Sequence, residues 1–388
     1  MKDYKRLGDY IREMNVRNRE LEVKILLGLS VSKEFMPSIA NTIGTDMSTY
    51  KIVERGQMVY IADTSRRGDK IAIGLLDEYE KAIVSQAYTV FEIINHEQLL
   101  PKYLMMWFRR PEFDRYARFH SHGSAREVFD WDELCDVMLP IPSITRQREI
   151  VAEYETLTRR IRINDQMIQH LEDTAQALYR KMFVDGVDKE NLPEGWRMGT
   201  LGEVCSKIGS GSTPKGGKDC YTSFGVSLIR SMNVFDFRFS SDELAHISDI
   251  QAAALDSVTI KEKDILFNIT GASVARCCMV PNNVLPARVN QHVMIIRPEK
   301  DFMSYYLLCT LCSDKAKRSL LGMSQSGSTR EAITKSEIES FKIVIPATEL
   351  LKNYDNQAEI IFAHIDIHKQ ENSKLIELQS LLLAKMGQ

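Results

Sequence analysis

The sequence contains no apolar run as long as the roughly 18 residues that cross a membrane, so no membrane-spanning segment is predicted. Its first residues, MKDYKRLGDYIREMN, are mostly charged or polar, and we expect no secretory signal. The seven cysteines are an odd number without the spacing of a disulfide framework, which predicts reduced thiols and a cytoplasmic protein. The net charge of −3 shows no basic excess, so any contact with nucleic acid must depend on local basic patches.

Motifs of catalysis are also missing. The chain has no Walker motif, no Asn- or Asp-Pro-Pro-Tyr segment of the adenine-methyltransferase kind, and no glycine-rich loop suited to S-adenosylmethionine. Cys309-x-x-Cys312 lacks a second cysteine pair that would complete a zinc site, and Cys277-Cys278 is likewise typical of core thiols. We therefore expect a chain without catalytic residues, a metal site or a cofactor of its own.

The sequence does contain a long-range repeat. Gly-Ser-Ala-Arg-Glu at 123–127 recurs as Gly-Ser-Thr-Arg-Glu at 327–331, a shift of 204 residues (327 − 123). At the same shift Ile141-Pro142 meets Ile345-Pro346, and Lys181-Met182 meets Lys385-Met386. Near the start of each half, Leu7-Gly8-Asp9-Tyr10 matches Leu201-Gly202-Glu203-Val204. A repeat this large exceeds the roughly 20–50 residues of a solenoid unit and predicts two similar domains.

A long helix without proline or glycine is predicted for residues 145–182. Its apolar positions follow the steps of three and four of a heptad seam, and Asn164 occupies one seam position, where a polar residue fixes register. At 1.5 Å per residue this helix is roughly 55 Å long, so it needs a partner outside one small domain. A second helix with a poorer seam is predicted for 349–386. The seam residues are Ile150, Leu157, Ile161, Asn164, Ile168, Leu171 and Leu178 in the first helix and Ile361, Ile365, Leu375 and Leu382 in the second.

These patterns predict an α+β fold in which two globular mixed α/β domains are separated by two long helices packed as an antiparallel coiled coil. Short strand-like apolar runs with turn residues between them indicate the mixed character of both globular parts. The predicted segments are 1–144 (first globular domain), 145–188 (first helix and linker), 189–346 (second globular domain) and 347–388 (second helix).

Five short segments follow one another in the second half of the chain. They are Leu192-Pro193-Glu194-Gly195-Trp196, Leu201-Gly202-Glu203-Val204, Gly209-Ser210-Gly211-Ser212-Thr213-Pro214, Leu228-Ile229-Arg230-Ser231-Met232-Asn233 and Asn290-Gln291-His292. In both halves an Ile-Pro strand is followed by a long helix. In this order, and with the duplication, the chain resembles over essentially its whole length the specificity subunit of type I restriction-modification systems.

The resemblance implies a non-catalytic subunit with two target-recognition domains, each of which reads one half of a bipartite site in double-stranded DNA. It also implies that the helices set the spacing and dock two modification (methyltransferase) subunits, which restriction (ATP-dependent translocase/nuclease) subunits can join. S-adenosylmethionine, ATP and Mg²⁺ are then expected on the partner subunits. Because the first half lacks the Leu-Pro-Glu-Gly-Trp and Ser-Gly-Ser-Thr-Pro segments, the two halves are expected to read different sequences.

The loop at 209–218 is the main candidate for DNA contact in the second half. It is not a P-loop, because Ser212 and Asp219 stand where that motif needs glycine and serine or threonine. Its small residues let backbone amides approach phosphates, and its two lysines add charge, although a plain surface turn is the alternative. The predicted DNA-binding residues of this half are Ser210, Ser212, Thr213, Lys215, Lys218, Arg230, Asn233, Asn290, Gln291, His292, Ser328 and Arg330.

The basic loop at 64–70 is the candidate in the first half, where arginine can reach guanine and lysine mostly finds phosphate. A solvated hairpin tip is the alternative. His120 and His122 lie two residues apart without further metal ligands at usable spacing, which favours DNA contact or simple loop polarity. The predicted DNA-binding residues of this half are Arg66, Arg67, Lys70, Gln86, His120, His122, Ser124 and Arg126.

Two of these features have an equally strong structural interpretation. Asn290-Gln291-His292 can read adenine, but it can also form a buried amide network that holds its domain together. The repeated Arg-Glu pairs, 126–127 and 330–331, suit either phosphate anchoring or an internal salt bridge. For the whole chain, a structural adaptor whose two domains bind proteins is the alternative function. A nuclease is disfavoured because no metal-ligand cluster is visible.

Overall fold

The computed structural model of the chain describes residues 4–39, 44–64, 70–123, 127–325 and 332–387. The chain divides into two compact units, of which unit 1 comprises residues 1–164 and 370–388 and unit 2 comprises residues 165–369. Both divisions fall inside long helices, so each unit holds half of each long helix beside its own globular part.

The globular part of unit 1 is built from short strands and short helices. The strands are β1 (Tyr4–Arg6), β2 (Ile11–Met14), β3 (Leu27–Leu29), β4 (Phe35–Pro37), β5 (Lys51–Glu54), β6 (Met58–Tyr60), β7 (Ile73–Leu75), β8 (Lys81–Val84), β9 (Thr89–Ile93) and β10 (Met138–Pro140). The helices are α1 (Pro101–Phe108), α2 (Pro111–Phe119) and α3 (Trp131–Cys135), followed by the long helix α4 (Ile144–Phe183). Strand β1 pairs with β10, β3 with β4 and β5 with β8, while β2–β9–β6–β7 forms an antiparallel sheet.

Local sequence explains where the short helices of unit 1 begin. Pro101 and Pro111 occupy first helical positions, where the missing N–H costs no hydrogen bond. The Asp130 side chain accepts a 3.0 Å hydrogen bond from the Glu133 amide and so caps α3. Since the residues from Tyr103 onward are all buried, α1 is the central helix of this core.

Unit 2 repeats this plan with nine strands, arranged in different sheets. Its strands are β11 (Arg197–Thr200), β12 (Cys205–Ser210), β13 (Val226–Ile229), β14 (Ala245–Ile247), β15 (Ile265–Asn268), β16 (Cys277–Met279), β17 (Ala287–Val289), β18 (Val293–Pro298) and β19 (Lys342–Ile345). Its helices are α5 (Leu201–Val204), α6 (Asp249–Ala254), α7 (Ser304–Cys312), α8 (Asp314–Gln325), α9 (Lys335–Glu339) and the long helix α10 (Thr348–Met386). One antiparallel sheet has the order β12–β18–β15–β16, and a second has the order β14–β13–β17 with β13 and β17 parallel.

The predicted duplication is visible in the strand pairing of the two units. In each unit the first strand pairs antiparallel with the closing strand before the long helix, as β1 with β10 and β11 with β19. A four-stranded antiparallel sheet follows in both, and α1, α2 and α3 have counterparts in α7, α8 and α9. Within the described residues, the three-stranded sheet around β13 occurs in unit 2, whereas the two-stranded β3–β4 and β5–β8 sheets occur in unit 1.

The two long helices confirm the predicted pair of seam helices to within one residue at each end. In unit 1 the halves run antiparallel, because Thr158 bonds Gln379 while Arg160 pairs with Glu371. In unit 2 the Phe183 ring at the end of α4 lies 5.1 Å from the Tyr354 ring near the start of α10.

Two half-buried side chains of opposite charge, Glu172 on α4 and Lys369 on α10, influence each other in unit 2. Burial raises the pKa of the Glu172 carboxyl, and Lys369 partly opposes that rise. Burial lowers the pKa of the Lys369 ammonium, and Glu172 works in the opposite direction. Each charge therefore offsets part of the desolvation that the other experiences.

Asn164, the predicted polar seam residue, is buried and donates a 2.9 Å hydrogen bond from Nδ2 to Oδ1 of Asn372 on α10. A buried polar pair disfavours other registers of the helices, because any slip would leave these amides facing apolar side chains. We expect N164L to lower the free energy of unfolding by about 1–3 kcal/mol, since Asn372 loses this partner inside the seam. Replacing both residues by leucine should recover part of that loss, as measured by urea unfolding.

The control is N353L, which makes the same change at an exposed position of α10 and should alter stability by less than about 0.5 kcal/mol. An N164L/N372L loss equal to the sum of the two single losses would show that the pair is not coupled.

Candidate nucleic-acid interface

The predicted loop of unit 2 begins where β12 ends beside β17 and β18. The Gly211 amide donates to Val293 O at 2.9 Å, and the Ser212 amide donates to Val289 O at 3.0 Å. A Cβ on Gly211 would lie 2.1 Å from Val289 O, so only glycine permits this close approach. The loop is therefore held at one end of the sheet, with Ser212 and Thr213 exposed.

A row of hydrogen-bonded polar side chains, the polar row, joins this loop to two others. The Thr213 hydroxyl donates to Gln291 Oε1 at 2.5 Å, and Gln291 Nε2 donates to His292 Nε2 at 3.1 Å. His292 Nδ1 then lies 2.8 Å from the Thr270 hydroxyl. Because Nε2 accepts, a neutral His292 ring carries its proton on Nδ1. The alternative interpretation of the sequence was a buried amide network. These side chains do bond to one another, but Thr213 and Gln291 are exposed, so Gln291 remains accessible to a ligand.

Basic side chains lie in the same part of unit 2. The Lys215 carbonyl accepts a 3.0 Å hydrogen bond from Gln251 Nε2, which anchors the loop while the ammonium stays exposed. The Arg230 guanidinium lies over the Tyr221 ring, 5.7 Å from its centroid. Six of the predicted residues are exposed, namely Ser210, Ser212, Thr213, Lys215, Lys218 and Gln291, whereas Arg230, Asn290 and His292 are half-buried.

Phe224 is a candidate contact that the sequence motifs did not reveal. Its side chain is 81% exposed, and the Thr222 hydroxyl donates to Phe224 O at 2.7 Å, which fixes the turn before β13. Gly225 follows with a φ of 129°, a conformation suited to glycine. An aromatic ring held in solvent can contact a thymine methyl group or wedge a base step. The feature of the sequence that could have revealed Phe224 is an aromatic residue between the turn-forming Thr222 and Gly225.

Asn233 corrects the predicted interface. Its side chain is wholly buried, accepts from the Arg230 amide at 3.0 Å and donates to Ser240 O and Asp242 O. These hydrogen bonds pair backbone groups of a tight turn with the Asn233 side chain. The buried side chain therefore cannot contact a DNA base. The motif that contains Asn233 therefore stabilises the fold at this position.

In unit 1 the two predicted histidines share one carboxylate. His120 Nδ1 lies 2.9 Å from one oxygen of Glu133, and His122 Nε2 lies 3.3 Å from the other. Stacking on Tyr116, at 4.2 Å between ring centroids, holds the His120 ring further. The sequence did not predict Glu133 as their partner, because the contact depends on how α3 packs. His122 is the more exposed ring and is the better placed of the two for an external contact.

The other predicted residues of unit 1 are less confined. Lys70 and Gln86 are both exposed, and Gln86 lies in the turn between β8 and β9. Of the repeated Arg-Glu pairs, Glu127 is described, and its carboxylate lies 3.6 Å from Arg118 Nη1. An internal salt bridge is thus present for this glutamate. The predicted residues that lie outside the described residues are Arg66, Arg67, Ser124, Arg126, Ser328 and Arg330.

The predicted seam residues of the long helices are all buried or half-buried, which suits packing of the helices. The helices nevertheless expose other apolar side chains that the heptad pattern did not single out. Between 44% and 63% of each is accessible, and they are Ile163, Met167, Ile360, Ile367, Ile376, Leu378 and Leu381. Exposed apolar residues at this density are typical of an interaction surface.

The second half of the chain is similar to a known protein family. Residues 193–378 match the family model described as the type I restriction modification DNA specificity domain. The matched stretch is 186 residues long (378 − 192), just under half of the 388 residues. No helix in the described parts of the chain has the length and apolar character of a membrane span.

Individual relatives extend the similarity to the first half. The MjaIX specificity subunit of Methanocaldococcus jannaschii is 22% identical over 313 residues, which cover 76% of this chain and 70% of that protein. The HindI specificity subunit of Haemophilus influenzae is 21% identical over 406 residues, which cover 87% and 86% of the two chains. The crystal structure of a type I S subunit from M. genitalium shares the fold, with a TM-score of 0.59, 13% identity and coverage of 100% of this chain and 96% of that one.

Proposed function

We propose that this chain is the DNA-specificity subunit of a type I restriction-modification complex, in which each globular half reads one half of a bipartite site in double-stranded DNA. The observation that carries the proposal is the repetition of one fold within a chain whose second half matches the type I DNA specificity domain. Two similar domains suit a target with two parts. The differences in strand content between the units suit two different half-sites.

Unit 2 offers the side-chain chemistry that reading DNA requires. The exposed Gln291 amide can pair with N6 and N7 of adenine, and its bonds to Thr213 and His292 orient it before DNA arrives. Lys215 and Lys218 suit phosphate contacts, which position the protein without reading sequence. This local placement of charge is compatible with a chain whose net charge is only −3.

Catalysis would come from partner subunits and not from this chain. Two modification subunits would bring S-adenosylmethionine, and restriction subunits would bring ATP and Mg²⁺. The exposed apolar residues of α4 and α10 are the surface we assign to docking the modification subunits.

The test of this function is the adenine-methylation profile of DNA from cells that carry the chain with its modification subunit, compared with a deletion of the chain alone. We expect a bipartite methylated motif that disappears on deletion. An unchanged profile, together with assemblies that form independently of DNA, would replace this function by the adaptor alternative.

Lys215 provides a residue-level prediction. We expect K215A to weaken binding of cognate DNA by the complex with modification subunits several-fold, because one phosphate contact is lost. The slope of log K against log salt concentration should become shallower by about 0.9. Titrations at several salt concentrations measure both quantities.

The matched control is K300A. Lys300 is also exposed, but it follows the end of β18 that is remote from Asn290 and the polar row. K300A should leave affinity and salt slope unchanged, and equal effects of the two substitutions would contradict the assignment of the 209–218 loop.

A further inference from the structure

Two cysteines from separate sequence motifs meet at the edge of the β12–β18–β15–β16 sheet. Cys277 Sγ on β16 lies 3.3 Å from Cys312 Sγ at the end of α7. Cys277 is wholly buried, whereas Cys312 is partly exposed. The sequence predicted two separate groups of core thiols, and the structure instead joins one member of each. Their separation exceeds a disulfide bond of roughly 2.05 Å by only about 1.3 Å.

Two charged side chains enclose this thiol pair. Asp236 accepts a 3.1 Å hydrogen bond from the Cys277 amide and a 2.5 Å hydrogen bond from Lys317 Nζ. A carboxylate oxygen of Asp236 and the two sulfurs all lie within 4.8 Å of one another. Lys317 Nζ also donates to Ala275 O, so the ammonium is fixed beside the thiols. Burial raises the pKa of the Cys312 thiol, and the charge of Lys317 opposes part of that rise.

The same cluster is less suited to a metal ion. Two thiolates and one carboxylate supply three ligands of the four that zinc normally takes. The ammonium of Lys317, however, already lies on the carboxylate oxygen. A metal would have to displace that cation and then lie close to its charge. The arrangement therefore favours chemistry of the sulfurs themselves.

We propose that Cys277 and Cys312 form a modification site that is converted to a reversible disulfide by exchange with a low-molecular-weight organic disulfide. The bond would tie the edge strand β16 to the end of α7. This assignment is independent of the proposed DNA-binding function, because it rests on the thiol geometry alone.

The reaction balances in two exchange steps. The Cys312 thiolate, being the accessible one, attacks a sulfur of the organic disulfide RSSR, forms a mixed disulfide and releases one thiolate RS⁻. The Cys277 thiolate then attacks the Cys312 sulfur, forms the internal bond and releases the second RS⁻. The two protons from the cysteines end on the two released thiolates, and two electrons pass from the protein to RSSR.

The experiment treats the reduced full-length chain with oxidised glutathione and then alkylates the remaining thiols. Burial raises the pKa of the Cys312 thiol, so the exchange is run at alkaline pH and followed over several hours. Mass spectrometry should count five alkylated cysteines, two fewer than the seven of the sequence, and peptide mapping should link Cys277 to Cys312. Dithiothreitol should restore all seven.

Variants separate this pair from its neighbours. C312S should abolish the link, whereas C309S, which removes the other cysteine of the same helix, should leave it unchanged. K317M should slow the first exchange several-fold while the circular dichroism spectrum stays that of the parent.

Three results would overturn the proposal. The first is seven alkylated cysteines after glutathione treatment, and the second is a link that joins Cys309 to Cys312 or two chains. The third is protection of both thiols by one equivalent of Zn²⁺ alone, which would make the cluster a metal site.

Discussion

Inserting four residues directly after Asn164 will change the number of base pairs between the two halves of the methylated motif and will leave both half-sites unchanged. Four residues add about 6 Å to α4, which corresponds to about two base-pair steps of roughly 3.4 Å. They also turn the following residues by about 40° beyond a full turn, so the apolar face still meets α10 approximately. The methylation profile of cells that carry the variant reads the spacing directly.

The control places the same four residues after Glu190, in the linker between α4 and β11. There the helix keeps its length and its register, and the spacing should stay as in the parent. A helix insertion that methylates the parental motif would refute the role of the helices as a rigid spacer. Loss of all methylation from both variants would show only that the insertions damage folding. The unfolding midpoint of each variant tests whether folding is damaged.

Replacing Arg297 by methionine will cost unit 2 more stability than any surface substitution. Asp264 is wholly buried before β15, and Arg297 on β18 holds both of its carboxylate oxygens at 2.7 Å. R297M removes the cation and leaves the Asp264 carboxylate buried in the core. Among the described residues, the hydrogen-bond donor that remains for it is the Lys261 amide, at 2.7 Å. We expect a loss of about 3–5 kcal/mol in the free energy of unfolding, measured in urea.

The comparison variant is R146M. Arg146 pairs with Glu149 at 2.7 Å on α4, but both side chains are 54% exposed, and such a pair contributes less than about 1 kcal/mol. The double change D264N/R297M should recover part of the loss, since it removes the buried charge. Similar losses for R297M and R146M would show that Asp264 is solvated in the folded chain.

The helices could be predicted closely because their signal is local and repeats many times. The seam and the absence of proline and glycine located α4 and α10 to within one residue, and they identified Asn164 as a polar seam residue. Asn372 is a polar residue that interrupts the apolar seam of the second helix. Asn372 and Asn164 are 208 residues apart in the sequence and meet only because their two helices pair. The heptad spacing within one helix does not predict which residues of the other helix lie opposite.

The candidate interface was less predictable, since its contacts arise from strand pairing across long sequence distances. Thr213 and Gln291 were each predicted, but their contact spans 78 residues and exists because β12 lies beside β18. Asn233 shows the opposite case, in which a polar side chain in a suggestive motif satisfies a backbone turn. Motif chemistry alone does not distinguish a side chain that faces solvent from one that caps a turn.

The hydrophobic core of unit 1 contains residues from two helices that the ribosome synthesises at different times. Val151 on α4 and Leu383 on α10 belong to one hydrophobic core, although 232 residues (383 − 151) separate them in the chain. At about 5–20 residues per second, a ribosome needs roughly 12–46 s to add that length. Throughout this interval the amphipathic helix α4 of the nascent chain lacks α10, the helix against which it packs. Chaperones, or a neighbouring subunit that is already folded, must cover the apolar face of that helix until α10 has been synthesised.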